Sequence, residues 1–356
     1  MPRSGPRLSR IAQSLGVSVA TVSNALSGKG RVSAELSARI KKTAEEMGYV
    51  PSQAGRALRT GRTGVIGLVL ADIANPLFPQ IAQAIEFAAS EAGYGVLIAD
   101  SRGASSLQME AIDRLLERGV DAMIVIPRRG TRIGALGCPV ALIDSPSTPG
   151  NSVSADHWEA GLAMGQHLRE LGHRKVLLLG SGSESNVQND RLGGIRAALG
   201  KEAVCETLWI AHRKPRNGED FSLGLAGYYA RGFTAFATTS DLHALRALSE
   251  LQRAGISIPS QASVTGFDDL ALAEVTSPRL TTMRMDMPRI AELAVKALIE
   301  RLDLQDVGER MPSSSPVEAA QAKVAMQLVV RDSTAPVTRS LPYQAIQENP
   351  AGELRP

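Results

Sequence analysis

Beyond Gly64 the chain alternates short apolar runs with amphipathic stretches, and this limits its fold more than any other feature. Val65-Ile66-Gly67-Leu68-Val69-Leu70 reads as a buried strand, and a helical pattern over 77–92 follows it. A strand over 95–99, a helix over 107–118 and strands over 122–126 and 140–143 come next. The order then repeats, with a helix over 161–171, a strand over 175–179 and a helix over 191–199. It ends with a strand over 234–238, a helix over 241–254 and a strand over 263–266. Strands spaced by helices pair in parallel beneath helices on both faces, so the fold class is α/β with two open lobes. Such lobes take small molecules in the crevice outside the carboxyl ends of their strands. Read from strand ends alone, the pocket candidates are Asp72, Asn75, Asp144, Ser181, Asp241, Asp268 and Asp269.

The residues before Gly64 follow another rule. Leu8, Ile11, Ala12 and Leu15 recur at helical spacing, Gly16-Val17 interrupts them, and Ser18 stands where an N-cap starts a second helix over 19–26. Val22, Ala25 and Leu26 form the inward face of that helix. Ser33 caps a third helix over 34–47, with Leu36, Ile40, Ala44 and Met47 inward and Gly48 at its end. Three short helices joined by glycine turns make a helix-turn-helix unit. Charge separates this head from the body: eleven Lys/Arg against three acids give the first 64 residues a net +8, the rest is at −5, and the whole is at +3. A basic, patterned head on an acidic body is the footprint of a polyanion binder.

No apolar run reaches the length needed to cross a bilayer, and no secretory leader pattern opens the chain. Cys138 and Cys205 lack metal-ligand spacing and read as reduced structural thiols in a cytoplasmic protein. No cofactor fingerprint, phosphate-binding loop or nucleophile elbow is present, which argues against an enzyme.

Ile11-Ala12, Gly16-Val17-Ser18, Thr21-Val22-Ser23, Val32-Ser33 and Gly48-Tyr49-Val50-Pro51, in that order and spacing, resemble the headpiece of the lactose/galactose-repressor family. Similar words continue through the body, from Asn75-Pro76-Leu77-Phe78 to Val264-Thr265-Gly266-Phe267-Asp268-Asp269 and Val329-Val330-Arg331-Asp332-Ser333-Thr334. The resemblance implies a DNA-binding repressor with a headpiece at 1–50, a hinge helix and linker at 51–63 and a two-lobed, periplasmic-binding-protein-like sensor at 64–334. It divides the sensor into a first lobe at 64–155 and 287–316 and a second at 156–283 and 317–334. It also implies that the second helix lies in the major groove. Val19, Ala20 and Asn24 would read base edges there, while Ser18, Thr21 and Ser23 would bond phosphates. In the hinge, Leu58 matches the leucine that wedges between base steps, with Arg56 and Arg59 against the backbone or groove wall.

For the sensor, the resemblance implies effector contacts from Asn75, Phe78, Asp144, Arg191, Ser240 and Asp268. An Arg with several acceptors suits a polyhydroxylated ligand such as a sugar or sugar acid. The implied partners are a palindromic double-stranded operator, a sugar-like effector and a second copy of the chain, with no membrane. Some residues depart from the family pattern. Arg7 and Arg10 add positive charge near the duplex, Gly55 softens the hinge, and Ser240 stands where an Asn is usual. The stretch 201–233, with Phe221, matches poorly, and Phe221 reads as packing rather than as a lid. Residues 335–356 are rich in proline and polar residues and read as disordered. Two other readings of the body, a sugar-binding receptor and a sugar-metabolising enzyme, leave the basic head without a purpose.

Overall fold

The computed structural model describes residues 8–27, 32–49, 57, 61–127, 133, 136–144, 152–213, 221–306 and 322–337. The chain divides into two compact units, Met1–Gly64 and Val65–Pro356.

In the first unit, α1 (Leu8–Leu15), α2 (Val19–Ser27) and α3 (Ala34–Glu46) enclose a core of Ile11, Ala12, Val22, Ala25, Ile40 and Ala44. Burying each of the two isoleucines contributes about 1.5–3 kcal/mol, which matters in a unit this small. The local signals work as read. Gly16 takes φ +65°, and Val17 N–H returns to Ala12 C=O at 3.0 Å. The Ser33 hydroxyl accepts from Leu36 N–H at 3.3 Å. Met47 is a correction. It is the C-cap of α3 and 37% exposed, so its side chain is not part of the core; Tyr49 packs there instead.

The second unit holds two parallel sheets. The first has strands β1 (Val65–Leu70), β2 (Gly95–Asp100), β3 (Ala122–Val125), β4 (Val140–Asp144) and β5 (Val153–Ala155), plus Ala322–Val324. Their order places Ala322–Val324 beside β5, then β4, β3, β1 and β2. Helices α4 (Leu77–Glu91) and α5 (Ser105–Glu117) follow β1 and β2. The second sheet runs β7 (Val204–Trp209), β6 (Lys175–Gly180), β8 (Ala235–Thr238), β9 (Ser263–Thr265). Its helices are α6 (His157–Glu170), α7 (Asn186–Leu199), α8 (Leu225–Ala230), α9 (Asp241–Arg253) and α10 (Leu272–Val275). Strands covered on both faces need apolar residues on both, which is why β1 and β6 read as continuous hydrophobic runs.

The chain passes between the lobes at three places: from β5 into α6, from β10 (Thr282–Met285) into α11 (Met287–Asp306), and from β11 (Ala322–Val324) into β12 (Met326–Val329). β10 and β12 pair antiparallel, and Met326 packs against the cores of both lobes. α11 returns to the first core, where Ile290, Ala294 and Leu298 are buried. Because β11 pairs with β5, the last return to the second lobe falls after Val324, not at the expected 317. The tail expectation also changes at its start. Ala335 N–H bonds the Ser263 hydroxyl and Val337 N–H bonds Leu171 C=O at 2.9 Å, so 335–337 are tied to the second lobe. Residues 338–356 lie outside the described residues.

Candidate nucleic-acid interface and effector site

α2 carries the candidate reading face. Val22 and Ala25 point into the core, which leaves Ser18, Val19, Ala20 and Asn24 exposed, with Thr21 and Ser23 half-buried. Val19 is 46% exposed. The Ser18 hydroxyl accepts from Thr21 N–H at 3.0 Å and also bonds the Thr21 hydroxyl at 2.8 Å. Ser18 therefore caps α2 and fixes the start of the exposed face. Arg56, Leu58 and Arg59 lie outside the described residues.

In the body, Arg191, Asp268 and Ser240 come together where the second-lobe strands end. Arg191, on α7, is 3% exposed. Its Nη1 donates to Asp268 Oδ1 at 2.9 Å and to Thr239 C=O at 2.6 Å, its Nε donates to His157 Nδ1 at 3.3 Å, and its guanidinium lies 4.7 Å from the Phe267 ring centroid. Burial and the Arg191 charge hold His157 well below the usual imidazole range, so His157 is a neutral acceptor. Burial pushes the Asp268 carboxyl up, and Arg191 pulls it back down. Asp268 adopts φ +102°, a conformation costing on the order of 1–3 kcal/mol in a non-glycine residue. A strained backbone that delivers a carboxylate to a buried guanidinium is the kind of arrangement found at ligand sites. The Ser240 hydroxyl caps α9, accepting from His243 N–H at 3.3 Å, and keeps its own proton to donate.

The first-lobe candidates are placed at strand ends but are not joined to this cluster by these bonds. Asn75 Oδ1 accepts from Leu77 N–H at 3.1 Å and so helps start α4. Phe78 is half-buried against the first-lobe core, and Asp144 closes β4. Two other strand-end residues prove structural. Asp241 is fully buried, accepting from the Thr282 hydroxyl at 2.6 Å and Leu270 N–H at 2.7 Å, and burial pushes its carboxyl up to about 7. Asp269 pairs with Arg284 and Arg331. Phe221 packs against the second core, and the Arg246 guanidinium sits 3.9 Å from its ring centroid. The packing reading of Phe221 therefore holds.

Sequence reasoning missed Gln188, Trp209, Thr239 and His243. Gln188 Oε1 accepts from Ser181 N–H at 2.6 Å and from the Thr239 hydroxyl at 3.1 Å, and the Thr239 hydroxyl also meets His243 Nδ1 at 3.2 Å. Trp209, at the end of β7, lies so close to Gly180 that a Cβ there would sit 2.4 Å from its ring. Thr239 follows β8 directly, so the strand-end rule could have found it. Gln188 and His243 lie within helices, where no such signal exists.

A basic three-helix head joined to a body of two parallel α/β lobes of the periplasmic-binding type defines a DNA-binding transcriptional regulator. Residues 7–52 match the family model described as bacterial regulatory proteins, lacI family, and residues 166–334 match the periplasmic binding protein-like domain. The transcriptional regulator MalR of Streptomyces coelicolor is 31% identical over 352 residues, 92% of this chain and 96% of the relative. The regulator AscG of Escherichia coli is 30% identical over 82% of this chain and 91% of its own length. The chain belongs to the lacI family of bacterial regulatory proteins. The same fold is found in a lac repressor dimer bound to operator and the anti-inducer ONPF (TM-score 0.73, 23% identity, 93% of this chain and 100% of that one). It is also found in a CelR–cellobiose complex (TM-score 0.61, 24% identity, 92% and 99%). No helix among the described residues is long and apolar enough to cross a membrane.

Proposed function

We propose that this chain is a homodimeric repressor whose operator affinity is set by a sugar or sugar derivative held between the two lobes of the body. The observation that carries this reading is the buried Arg191–Asp268 pair. It positions a guanidinium at the carboxyl ends of the second-lobe strands, where open α/β lobes take ligands. Arg191 Nη2 makes no hydrogen bond among the described residues and is not a sealed, unsatisfied atom, so it remains available to a hydroxyl. The cellobiose bound to CelR and the ribose bound to a lacI-family regulator of Enterococcus faecium support a sugar. Asn75, Phe78 and Asp144 contribute from the first lobe, Ser240 from the second, with domain limits as read from the sequence except for the return after Val324.

In the head, Val19, Ala20 and Asn24 read base edges and Ser18, Thr21 and Ser23 fix register on phosphates. The operator-bound lac repressor dimer supports a palindromic site and a paired chain. Phe87 on α4 and Leu97 and Ile98 on the edge strand β2 are exposed apolar residues of the kind a second copy would cover. In the DNA-bound state the hinge residues Arg56, Leu58 and Arg59 engage the minor groove. The effector shifts operator affinity only by its own preference between the free and DNA-bound states.

The test uses the full chain. Selection from a random DNA pool should enrich a palindrome whose affinity falls steeply with salt, since each phosphate contact adds about 0.9 to the log–log slope. A thermal-shift screen of sugars, sugar acids, sugar phosphates and purines should find a compound that raises the melting point and changes operator affinity. Failure to enrich any sequence defeats the operator assignment, and a response to purines alone defeats the sugar.

A further inference from the structure

Resting on the effector reading above, we infer that His243 is a specificity residue of the second-lobe pocket, presenting a bare Nε2 lone pair that accepts a hydroxyl of a neutral sugar and turns away carboxylates and phosphates.

A backbone amide has a fixed hydrogen-bonding role. Ser181 N–H can only donate, so the Gln188 atom 2.6 Å away is its carbonyl oxygen, which settles the orientation of that side-chain amide. The Thr239 hydroxyl lies 3.1 Å from the same oxygen and so spends its single proton there. The contact between Thr239 Oγ1 and His243 Nδ1 at 3.2 Å can then be made only if Nδ1 carries the proton and donates. Burial and the charges of Arg191 and Arg246 hold His243 at about 4, below its ordinary value, so at neutral pH the ring has one proton and that proton is on Nδ1. Nε2 is left as an acceptor. It has no hydrogen-bond partner among the described residues, and it is not among the buried unsatisfied atoms.

His243 and Arg191 meet at one residue: Arg191 bonds the Thr239 carbonyl and His243 bonds the Thr239 hydroxyl. Thr239 thus gathers the guanidinium of Arg191, the amide of Gln188 and the imidazole of His243, which together offer a ligand both donors and an acceptor. A hydroxyl satisfies both because it accepts and donates, whereas a carboxylate or phosphate oxygen cannot donate and faces a lone pair. Asp268, 2.9 Å from Arg191, competes with an incoming anion for the guanidinium.

The test has a ligand-free arm and a binding arm, both on the full chain. Nitrogen-15 NMR of the histidine rings, with His243 assigned from a His243→Leu variant, should show the Nδ1–H tautomer at neutral pH. Thr239→Ser should keep it and Thr239→Val should release it. An Nε2–H ring or a cation in the wild-type chain overturns the inference. In the binding arm, melting shifts are compared for glucose, maltose, cellobiose and ribose against glucuronate, gluconate, glucose 6-phosphate and ribose 5-phosphate. The neutral members should bind, with the affinity of the responding sugar falling about ten-fold in His243→Leu, the scale of one lost hydrogen bond. A response confined to the acids or phosphates overturns this inference and leaves the sugar-controlled reading intact. Silence across the whole set defeats both.

Discussion

Replacing Gly194 with Ala tests how the pocket is held. α6 and α7 pack backbone against backbone, and a Cβ at Gly194 would lie 2.3 Å from Trp158 O, 2.8 Å from Leu162 N and 2.9 Å from Gly161 Cα. All three obstacles are main-chain atoms, so no rotamer change can relieve them, and ordinary contact begins near 3.4 Å. The helices must therefore part by about 1 Å, and overpacking of this kind costs about 1–3 kcal/mol. At about 2–4 °C per kcal/mol for a body of this size, calorimetry should record a loss of several degrees. The same displacement moves Arg191 and Gln188, which ride on α7, so the thermal response to an effector should weaken beyond the stability loss. Gly227→Ala is the control: its Cβ would meet nothing within 4 Å, and alanine favours the helix by up to about 1 kcal/mol. If the two variants melt alike, the close approach of α6 and α7 is refuted.

Acid should destabilise the body with a definable slope. Burial lowers His173 and His243 from 6.5 to about 4, so the unfolded chain binds their protons first. Their stabilisation is complete above pH 6.5 and is lost as pH falls towards 4, at about 1.4 kcal/mol per pH unit for each ring. Asp241, raised from 3.8 to about 7, acts oppositely, its contribution being full below 3.8 and lost as pH rises to 7. His173→Gln should flatten the slope of stability between pH 4 and 6.5 by one proton, and an unchanged slope would contradict the burial argument. Asn24→Ala should alter base preference at one half-site position by about 1–3 kcal/mol, whereas uniform weakening across sequences would mean a phosphate contact. Asp268→Ala leaves Arg191 buried without its partner, so the body should lose about 3–5 kcal/mol while operator selectivity persists; a stability loss under 1 kcal/mol would mean the pair is solvated.

Local chemistry made much of this molecule legible in advance. The head could be read almost residue by residue, because glycine turns, serine caps and a 3.6-residue period act over a few positions and do not depend on distant partners. β1, β6 and β8 could be read because strands buried on both faces must be apolar throughout. β7 escaped, since an edge strand with Glu206 and Thr207 in it lacks that pattern. The short β5, β10, β11 and β12 escaped because three or four residues carry too little periodicity to register. Met47 failed for the opposite reason: its helical phase was right, but α3 ends one residue earlier.

The candidate site divides along the same line. Sequence alone, helped by a resemblance, could name Arg191, Asp268 and Ser240, because each sits in a recognisable word at the end of a strand or on the helix that follows it. It could not separate Asp241 and Asp269 from Asp268, since all three are aspartates at or just past the ends of β8 and β9. Only the folded chain makes the distinction. Thr282 and Leu270 seal one, Arg284 and Arg331 bind another, and a left-handed turn delivers the third to Arg191. The proton placement on His243 belongs wholly to tertiary structure, because the chain from Ser181 through Gln188 and Thr239 joins residues brought together only when β6, β8, α7 and α9 pack. Hydrogen-bond polarity passes along such contacts in space, and the order of residues along the chain carries no record of it.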